Sequence, residues 1–79
     1  MSPARKEPDT STYSGRFAVR LRTLREKAGL SHEEVANLLE TTETTVYRWE
    51  AGLRQPQISD LPNIAEVLKV KVRTLIPDA

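Results

Sequence analysis

LSHEEVANLLETTETTVYRWEAG, from Leu30 to Gly52, is the stretch that decides the fold of this chain. Apolar residues recur in it three or four positions apart, at Val35, Ala36 and Leu39 and again at Val46 and Trp49. This spacing places each set on one face of a helix. Between the two helices, before the capping residue Thr42, lie only Glu40 and Thr41, too few for anything but a sharp turn. The stretch therefore predicts two short helices joined by a tight turn.

Capping signals mark the ends of both helices. Ser31, followed three residues later by Glu34, predicts a capping box at the start of the first. Thr42 offers a hydroxyl to the free N–H groups of the second, and Gly52 suits the left-handed position after its end. The predicted helices run from about His32 to Leu39 and from about Glu43 to Ala51. A helix–turn–helix of this kind can place its second helix in the major groove of DNA.

The rest of the chain predicts three further helices and no strand. Phe17, Leu21, Leu24 and Ala28 recur at intervals of four, three and four, which predicts a buried stripe on a first helix. The predicted bounds are Gly15 to Ala28 for the first helix with Ser14 as its N-cap, Ser59 or Asp60 to Leu68 for the fourth, and Val72 to Ile76 for the fifth. The fold class expected is all-α, with five helices in one domain.

The N-terminal residues 1–14, MSPARKEPDTSTYS, differ from the rest in composition. They contain two prolines, five serine or threonine residues and almost no apolar side chains, which predicts a flexible arm. Arg5 and Lys6 could contact a phosphate or the minor groove of DNA, as basic N-terminal arms do in some DNA-binding domains. The alternative is that they belong to a solvated tail. We therefore expect an arm at residues 1–14 and a helix–turn–helix domain at residues 15–79.

Composition excludes several classes of protein. There is no cysteine and only one histidine among the 79 residues, so we expect neither disulfides nor a metal site. No apolar run approaches membrane length and no signal-peptide core is present, which favours a cytoplasmic location. No catalytic set can be assembled around the single histidine and no glycine-rich phosphate loop exists, so we expect no enzyme activity and no cofactor.

Charge is distributed unevenly although the formal net charge is only +1. Residues 15–30 carry five cationic side chains against one glutamate, a local sum of +4. Residues 31–50 carry one arginine against five glutamates, a local sum of −4. An acidic helix–turn–helix is unfavourable for binding phosphates, which keeps a protein partner open as an alternative.

The chain from about Phe17 to Ile76 resembles the helix–turn–helix family of phage repressors, Cro proteins and bacterial xenobiotic-response-element regulators. The resemblance is carried by Leu21, Leu24 and Arg25, by GLS at 29–31, by EVA at 34–36, by TTVYRWEAG ending at Gly52, and by Pro56, Ile64, Ala65, Leu68 and Leu75. It implies a compact domain that binds double-stranded DNA with its third helix in the major groove. Glu40 departs from the glycine usual in the family, which implies a different turn or a strain of about 1 kcal/mol.

The resemblance implies a base-reading set on the outer face of helix three, formed by Glu43, Thr44, Tyr47 and Arg48. Arg48 can pair with guanine O6 and N7, and Glu43 can accept from cytosine N4. Thr44 offers a hydroxyl and a methyl group. The alternative is a face that is merely solvated.

A second implied set positions the DNA backbone, and consists of His32, Thr42, Thr45, Arg54 and Gln55. His32 stands where the family often has a phosphate-contacting glutamine, or it is only a solvent-facing residue at a helix start. Thr42 and Thr45 lie at a helix N-terminus, whose free N–H groups attract phosphate, and Thr42 can serve as the cap as well. Arg54 and Gln55 follow in the loop that resembles the family's phosphate-contacting loop.

A structural pair is also implied, between Arg25 in helix one and Glu50 at the end of helix three. Such a pair would fix helix three against helix one. Trp49 is in register with Val46 and is expected in the core.

From the resemblance we expect a sequence-specific transcriptional regulator, a repressor acting as a homodimer. Its dimer surface is expected on helix five, at Val70, Val72, Leu75 and Ile76, unless these residues only cap the core. Three alternatives remain: the DNA-binding half of a longer regulator, an antitoxin-like subunit with a protein partner, and a helix–turn–helix used only for protein contacts.

Overall fold

The computed structural model describes residues 7–77, which contain only helices and loops. The helices are α1 (Tyr13–Lys27), α2 (His32–Leu38), α3 (Glu43–Glu50), α4 (Leu61–Leu68) and α5 (Val72–Leu75), with a 3-10 turn at Ile58–Asp60 before α4. The predicted all-α architecture with five helices is therefore confirmed. None of these helices is long and apolar enough to cross a membrane.

Helix α1 begins two residues earlier than predicted, because Thr12 and not Ser14 is its N-cap. The Thr12 hydroxyl accepts a hydrogen bond from the Gly15 backbone N–H at 3.0 Å and donates one to the Asp9 carbonyl at 2.8 Å. Within the predicted stripe Phe17 and Leu21 are buried and Leu24 is partly buried. Ala28 is exposed, since α1 ends at Lys27 and the chain turns away at Gly29, where φ is +75°.

The N-terminal segment from residue 7 to residue 12, which was expected to be part of a flexible arm, contacts the helical body. Glu7 forms an ion pair with Arg22 at 3.0 Å. The Asp9 backbone lies so close to Gly15 that any side chain at Gly15 would collide with the Asp9 carbonyl. Tyr13 and Ser14, the last two residues of the predicted arm, belong to α1, and residues 1–6 with Arg5 and Lys6 lie outside the described residues.

The helix–turn–helix is formed by α2 and α3 as predicted, with boundaries one residue shorter at each C-terminus. The capping box of Ser31 and Glu34 is present, and the Thr42 side chain accepts from the Thr45 backbone N–H. Glu40 adopts the left-handed conformation with φ of +57°. The turn therefore keeps the geometry that glycine favours, and the strained alternative is the correct one at Glu40.

One apolar core joins the helices. Its fully buried side chains of largest volume are Ile64, Leu75 and Val46, and Trp49 lies in the same core. The surface predicted on helix five is divided, because Leu75 is wholly buried and Val70 packs on the core. Val72 and Ile76 remain exposed.

Candidate nucleic-acid interface

The two faces of α3 differ sharply in exposure. Val46 is only 1% exposed and Trp49 is buried in the core. Glu43, Thr44 and Arg48 are all exposed on the other side of the helix. Because the inner side chains are fixed by packing, the outer ones project from a helix of defined orientation.

Tyr47 occupies a different position from the other three predicted base-reading residues. It is partly buried, and its ring meets the His32 ring edge to face, with 6.2 Å between ring centroids and an interplanar angle of 78°. It also lines a cleft shared with Pro8 of the N-terminal segment and with Leu53 after α3. Tyr47 therefore lies at the flank of α3 between α2 and the N-terminal segment.

Arg25 and Glu50 form the ion pair that the resemblance implies. Arg25 Nε lies 2.7 Å from Glu50 Oε2, and Arg25 Nη2 lies 3.1 Å from Glu50 Oε1. The two side chains are 11% and 4% exposed, and Arg25 Nη1 also donates to the Leu30 carbonyl at 2.8 Å. A bidentate pair with little exposure gives both strength and a fixed geometry. It joins the end of α3 to α1 and to the loop before α2.

His32 extends this pair into a cluster. Its Nε2 lies 3.0 Å from Glu50 Oε1, and its side chain is 22% exposed. The imidazole is therefore turned towards the protein, which differs from the solvent-facing position considered from the sequence. We call Arg25, Glu50, His32 and Tyr47 the α3 anchor cluster. Sequence reasoning missed the contact between His32 and Glu50, because eighteen residues separate them and neither spacing nor motif relates them.

The predicted phosphate-contacting residues fall into two groups. Thr42 caps the start of α3 and Thr45 lies in its first turn, with their hydroxyl oxygens 2.9 Å apart. Arg54 and Gln55 are exposed after α3 and line a polar cleft of about 220 Å³ together with Thr45. The structure thus brings Thr45, Arg54 and Gln55 together beside the start of α3.

Asn63 also lines this cleft and was missed from the sequence. It is exposed in the first turn of α4. Its amide can donate to a phosphate as the other members of the cleft can. A polar residue shortly after Pro62 was the available signal, but only the fold places it beside the loop after α3.

The net negative charge of residues 31–50 is partly compensated by a residue outside that range. Glu50 is neutralised by Arg25, which lies outside residues 31–50, so including that partner changes the sum from −4 to −3. Glu34 uses one carboxylate oxygen to accept from the Ser31 N–H at 2.9 Å. Glu33, Glu40 and Glu43 are exposed. The surface keeps enough negative charge to oppose indiscriminate contact with phosphates.

Residues 16–77 match the model of a helix-turn-helix domain family, and the chain belongs to that family. A comparison with curated proteins found no match. The restriction-modification controller protein C.AhdI from Aeromonas hydrophila is 33% identical, with a TM-score of 0.73 over 77% of this chain and 92% of that protein. The resemblance to repressor-like regulators is thereby confirmed.

Enzyme structures are also similar to this chain. Hydroxypropylphosphonic acid epoxidase from S. wedmorenis is 36% identical, with a TM-score of 0.77 over 84% of this chain. The structure of apo-HppE gives the same identity and TM-score. The chain spans 35% and 37% of the lengths of the chains in these two structures. The helical domain described here thus also occurs within longer polypeptides.

Proposed function

We propose that this chain is a sequence-specific regulator of transcription that binds double-stranded DNA with α3 in the major groove. The observation that carries the proposal is the outer face of α3. Its side chains Glu43, Thr44 and Arg48 are exposed, while the helix behind them is held by the core and by the pair between Arg25 and Glu50. Rigid presentation of a few polar side chains is what reading of base edges requires.

The two ends of α3 have separate tasks in this proposal. At its start, the polar cleft with Thr45, Arg54 and Gln55 would contact phosphates and set the register of the helix on the duplex. At its end, Glu50 is buried against Arg25 and His32, so this end would keep the angle of the helix. His32 would then support α3 and contact a phosphate only through the part of its ring that is not turned to Glu50.

The remaining acidity has a role as well. Exposed Glu33, Glu40 and Glu43 lower the attraction of the surface for any phosphate backbone. Affinity would then depend more on correct base contacts than on charge alone. Glu43 would contribute directly by accepting a hydrogen bond from a cytosine amino group.

We further propose that the chain acts as a homodimer and as a repressor in the cytoplasm. One copy offers few base contacts, and two copies on paired half-sites double them. Val72 and Ile76 remain exposed beside the core and would contribute to the contact between copies. A dimer on an operator would repress by occupying the site that the transcription machinery needs.

Selection of bound duplexes from a random pool, followed by sequencing, tests the proposal. The wild-type chain should enrich one motif, with two-fold symmetry if it binds as a dimer. Glu43→Gln should change the preference at one base position, because an amide can donate as well as accept. Glu66→Gln, a matched change at an exposed glutamate of α4, should leave the motif unchanged.

Two results would contradict direct readout. A Glu43→Gln variant that binds every duplex more tightly with the same motif would show that Glu43 acts only as a repulsive charge. Failure of the folded wild-type chain to enrich any motif would contradict the proposal as a whole, and the acidic helix–turn–helix would then be better explained by a protein partner.

The similarity to the epoxidase favours a second candidate, in which the domain is the helix–turn–helix part of a longer enzyme. We propose that the chain itself has no catalytic activity in either case. The two candidates are distinguished by the length of the native polypeptide in its cell of origin and by the random-pool selection. A longer native protein whose helical domain enriches no DNA motif would support the enzyme candidate.

A further inference from the structure

A groove of about 490 Å³ runs along α1 and is lined by three cationic side chains, Arg16, Arg20 and Lys27. These residues lie on one stripe of the helix, because their spacings of four and seven correspond to one and two turns. Arg25, which faces Glu50, lies almost half a turn around α1 from this stripe at about 100° per residue. The groove is therefore on the side of α1 that faces away from α3. We call it the α1 groove.

Arg20 in the α1 groove has a buried polar atom without a partner. Its Nε is inaccessible to solvent and makes no hydrogen bond, and it is the one such side-chain atom found in residues 7–77. The neighbouring arginines of α1 are engaged: Arg16 donates to the Thr10 carbonyl at 3.2 Å, and Arg22 and Arg25 pair with glutamates. Buried N–H groups nearly always have an acceptor in native structures. Arg20 itself is only partly buried and lines the groove, so its guanidinium is a charge that lies there without an acceptor from residues 7–77.

The chemistry of the lining restricts what that acceptor can be. Val19, Leu24 and Pro77 supply apolar surface between the cationic side chains. No acidic residue among residues 7–77 lines the groove. A volume of this size is within the range of small-molecule sites, roughly 300–1,000 Å³. The complementary ligand has an anionic head and an apolar body.

We propose that the α1 groove binds a small amphipathic anion with a carboxylate or phosphate group on an apolar body. The anionic group accepts from Arg20 and is attracted by Lys27, and the apolar body lies on Val19 and Leu24. Thr10 and Pro77 also line the groove, so the ligand would contact the segments before α1 and after α5. The proposal is independent of the proposed DNA binding, since the groove and the outer face of α3 share no residue.

Titration of the ¹⁵N-labelled 79-residue chain with hexyl phosphate and, separately, with hexanoate tests the proposal by NMR. We expect saturable shifts at the amides of Val19, Arg20 and Leu24 and none along α3, with at least one of the two anions. Hexanol tests the apolar body alone, and inorganic phosphate tests the charge alone. Hexanol and inorganic phosphate should each bind at least about tenfold more weakly than the better of the two anions, because hexanol lacks the charge and inorganic phosphate lacks the apolar body.

Substitutions then test the cationic side chains. Arg20→Met keeps the length of the apolar stem and removes the charge and the unpartnered donor. It should weaken binding by about tenfold or more, with an unchanged or higher melting temperature. Lys27→Gln should weaken binding as well, and Lys71→Gln, at an exposed lysine that does not line the groove, should not.

Several results would overturn the proposal. These are equal affinity for hexanol, shifts confined to α3, equal losses in Lys27→Gln and Lys71→Gln, or no saturable shift with either anion. Binding of polyglutamate to the groove without binding of either small anion would assign it to an acidic polypeptide and would also overturn the proposal. If Arg20→Met unfolds the chain, the comparison of Lys27→Gln with Lys71→Gln decides alone.

Discussion

The inner and outer faces of α3 divide stability and recognition between them. The inner face places Val46 and Trp49 in the core and ends in Glu50, which is held by Arg25 and His32. The outer face presents Glu43, Thr44 and Arg48 to solvent. An eight-residue helix is too short to be stable by itself. Its conformation therefore depends on the packing of the inner face.

The largest expected effect is on the inner face, at Glu50. Glu50→Ala leaves Arg25 without its charged partner and should lower the free energy of unfolding by about 3 kcal/mol. Arg25→Ala should have a similar effect, and the double variant should be less destabilised than the sum by at least about 1 kcal/mol. Urea denaturation of the four proteins measures this cycle. Additive losses would show that the two residues do not stabilise each other.

A substitution on the outer face should weaken DNA binding and leave the stability nearly unchanged. Arg48→Ala should leave the free energy of unfolding within about 0.5 kcal/mol of the wild type, because an exposed side chain is lost. It should weaken binding to the selected motif by about 1–3 kcal/mol and binding to random duplex much less. Arg54→Ala should weaken both and lower the salt dependence by about one unit. Fluorescence anisotropy at several salt concentrations measures both quantities, and equal losses on both duplexes for Arg48→Ala would contradict base readout.

Substitutions at the start of α3 should have effects on stability that lie between those of Glu50→Ala and Arg48→Ala. Thr42→Ala removes the hydroxyl that accepts from Thr45 N–H and should destabilise by about 1 kcal/mol. Thr44→Ala, two residues further and exposed, makes the same chemical change without loss of a cap. It should be neutral or slightly stabilising because alanine is the better helix former. Similar destabilisation in both variants by urea denaturation would contradict the capping role.

The turn between α2 and α3 offers a gain in stability. Glu40 is left-handed with φ of +57°, so Glu40→Gly should raise the free energy of unfolding by up to about 1 kcal/mol. Glu33→Gly within α2 should lower it by about 1 kcal/mol, since glycine is unfavourable inside a helix. The opposite signs separate backbone strain from loss of charge. A loss at both positions would mean that the Glu40 side chain makes a stabilising contact.

The smallest expected effect concerns the surface pair between Glu7 and Arg22. The Glu7 side chain is 64% exposed, so Glu7→Gln should change stability by no more than about 0.5 kcal/mol, and less in high salt. Glu50→Gln is the buried counterpart of this change and should be clearly more destabilising. A large effect at Glu7 would show that the pair is needed to hold residues 7–12 on α1.

Local features of the fold were predictable because their partners are close in the chain. Ser31 and Glu34 are three residues apart, as are Thr42 and Thr45, so each cap could be identified from its own segment. The start of α1 was misplaced because both Ser14 and Thr12 are suitable caps. Contact of Thr12 with Asp9 favours the earlier position, and spacing alone does not distinguish the two.

The candidate site was only partly predictable for a related reason. The outer face of α3 could be identified, since helical periodicity separates Glu43, Thr44 and Arg48 from Val46 and Trp49. The pair of Arg25 and Glu50 came from a family resemblance, because twenty-five residues separate them. Periodicity assigns a residue to one side of its own helix. It does not specify which other helix lies against that side.

The sequence by itself determined the helical segments, their caps, the inner and outer faces of α3 and the absence of cysteine chemistry. Each follows from neighbours within about one helical turn, or from composition. The tertiary structure alone decided that His32 faces Glu50, that Tyr47 lies beside the N-terminal segment, and that Arg20 lines a groove with Pro77. These contacts join segments distant in the chain. They depend on how the helices pack against one another, which is determined by the close-packed core as a whole.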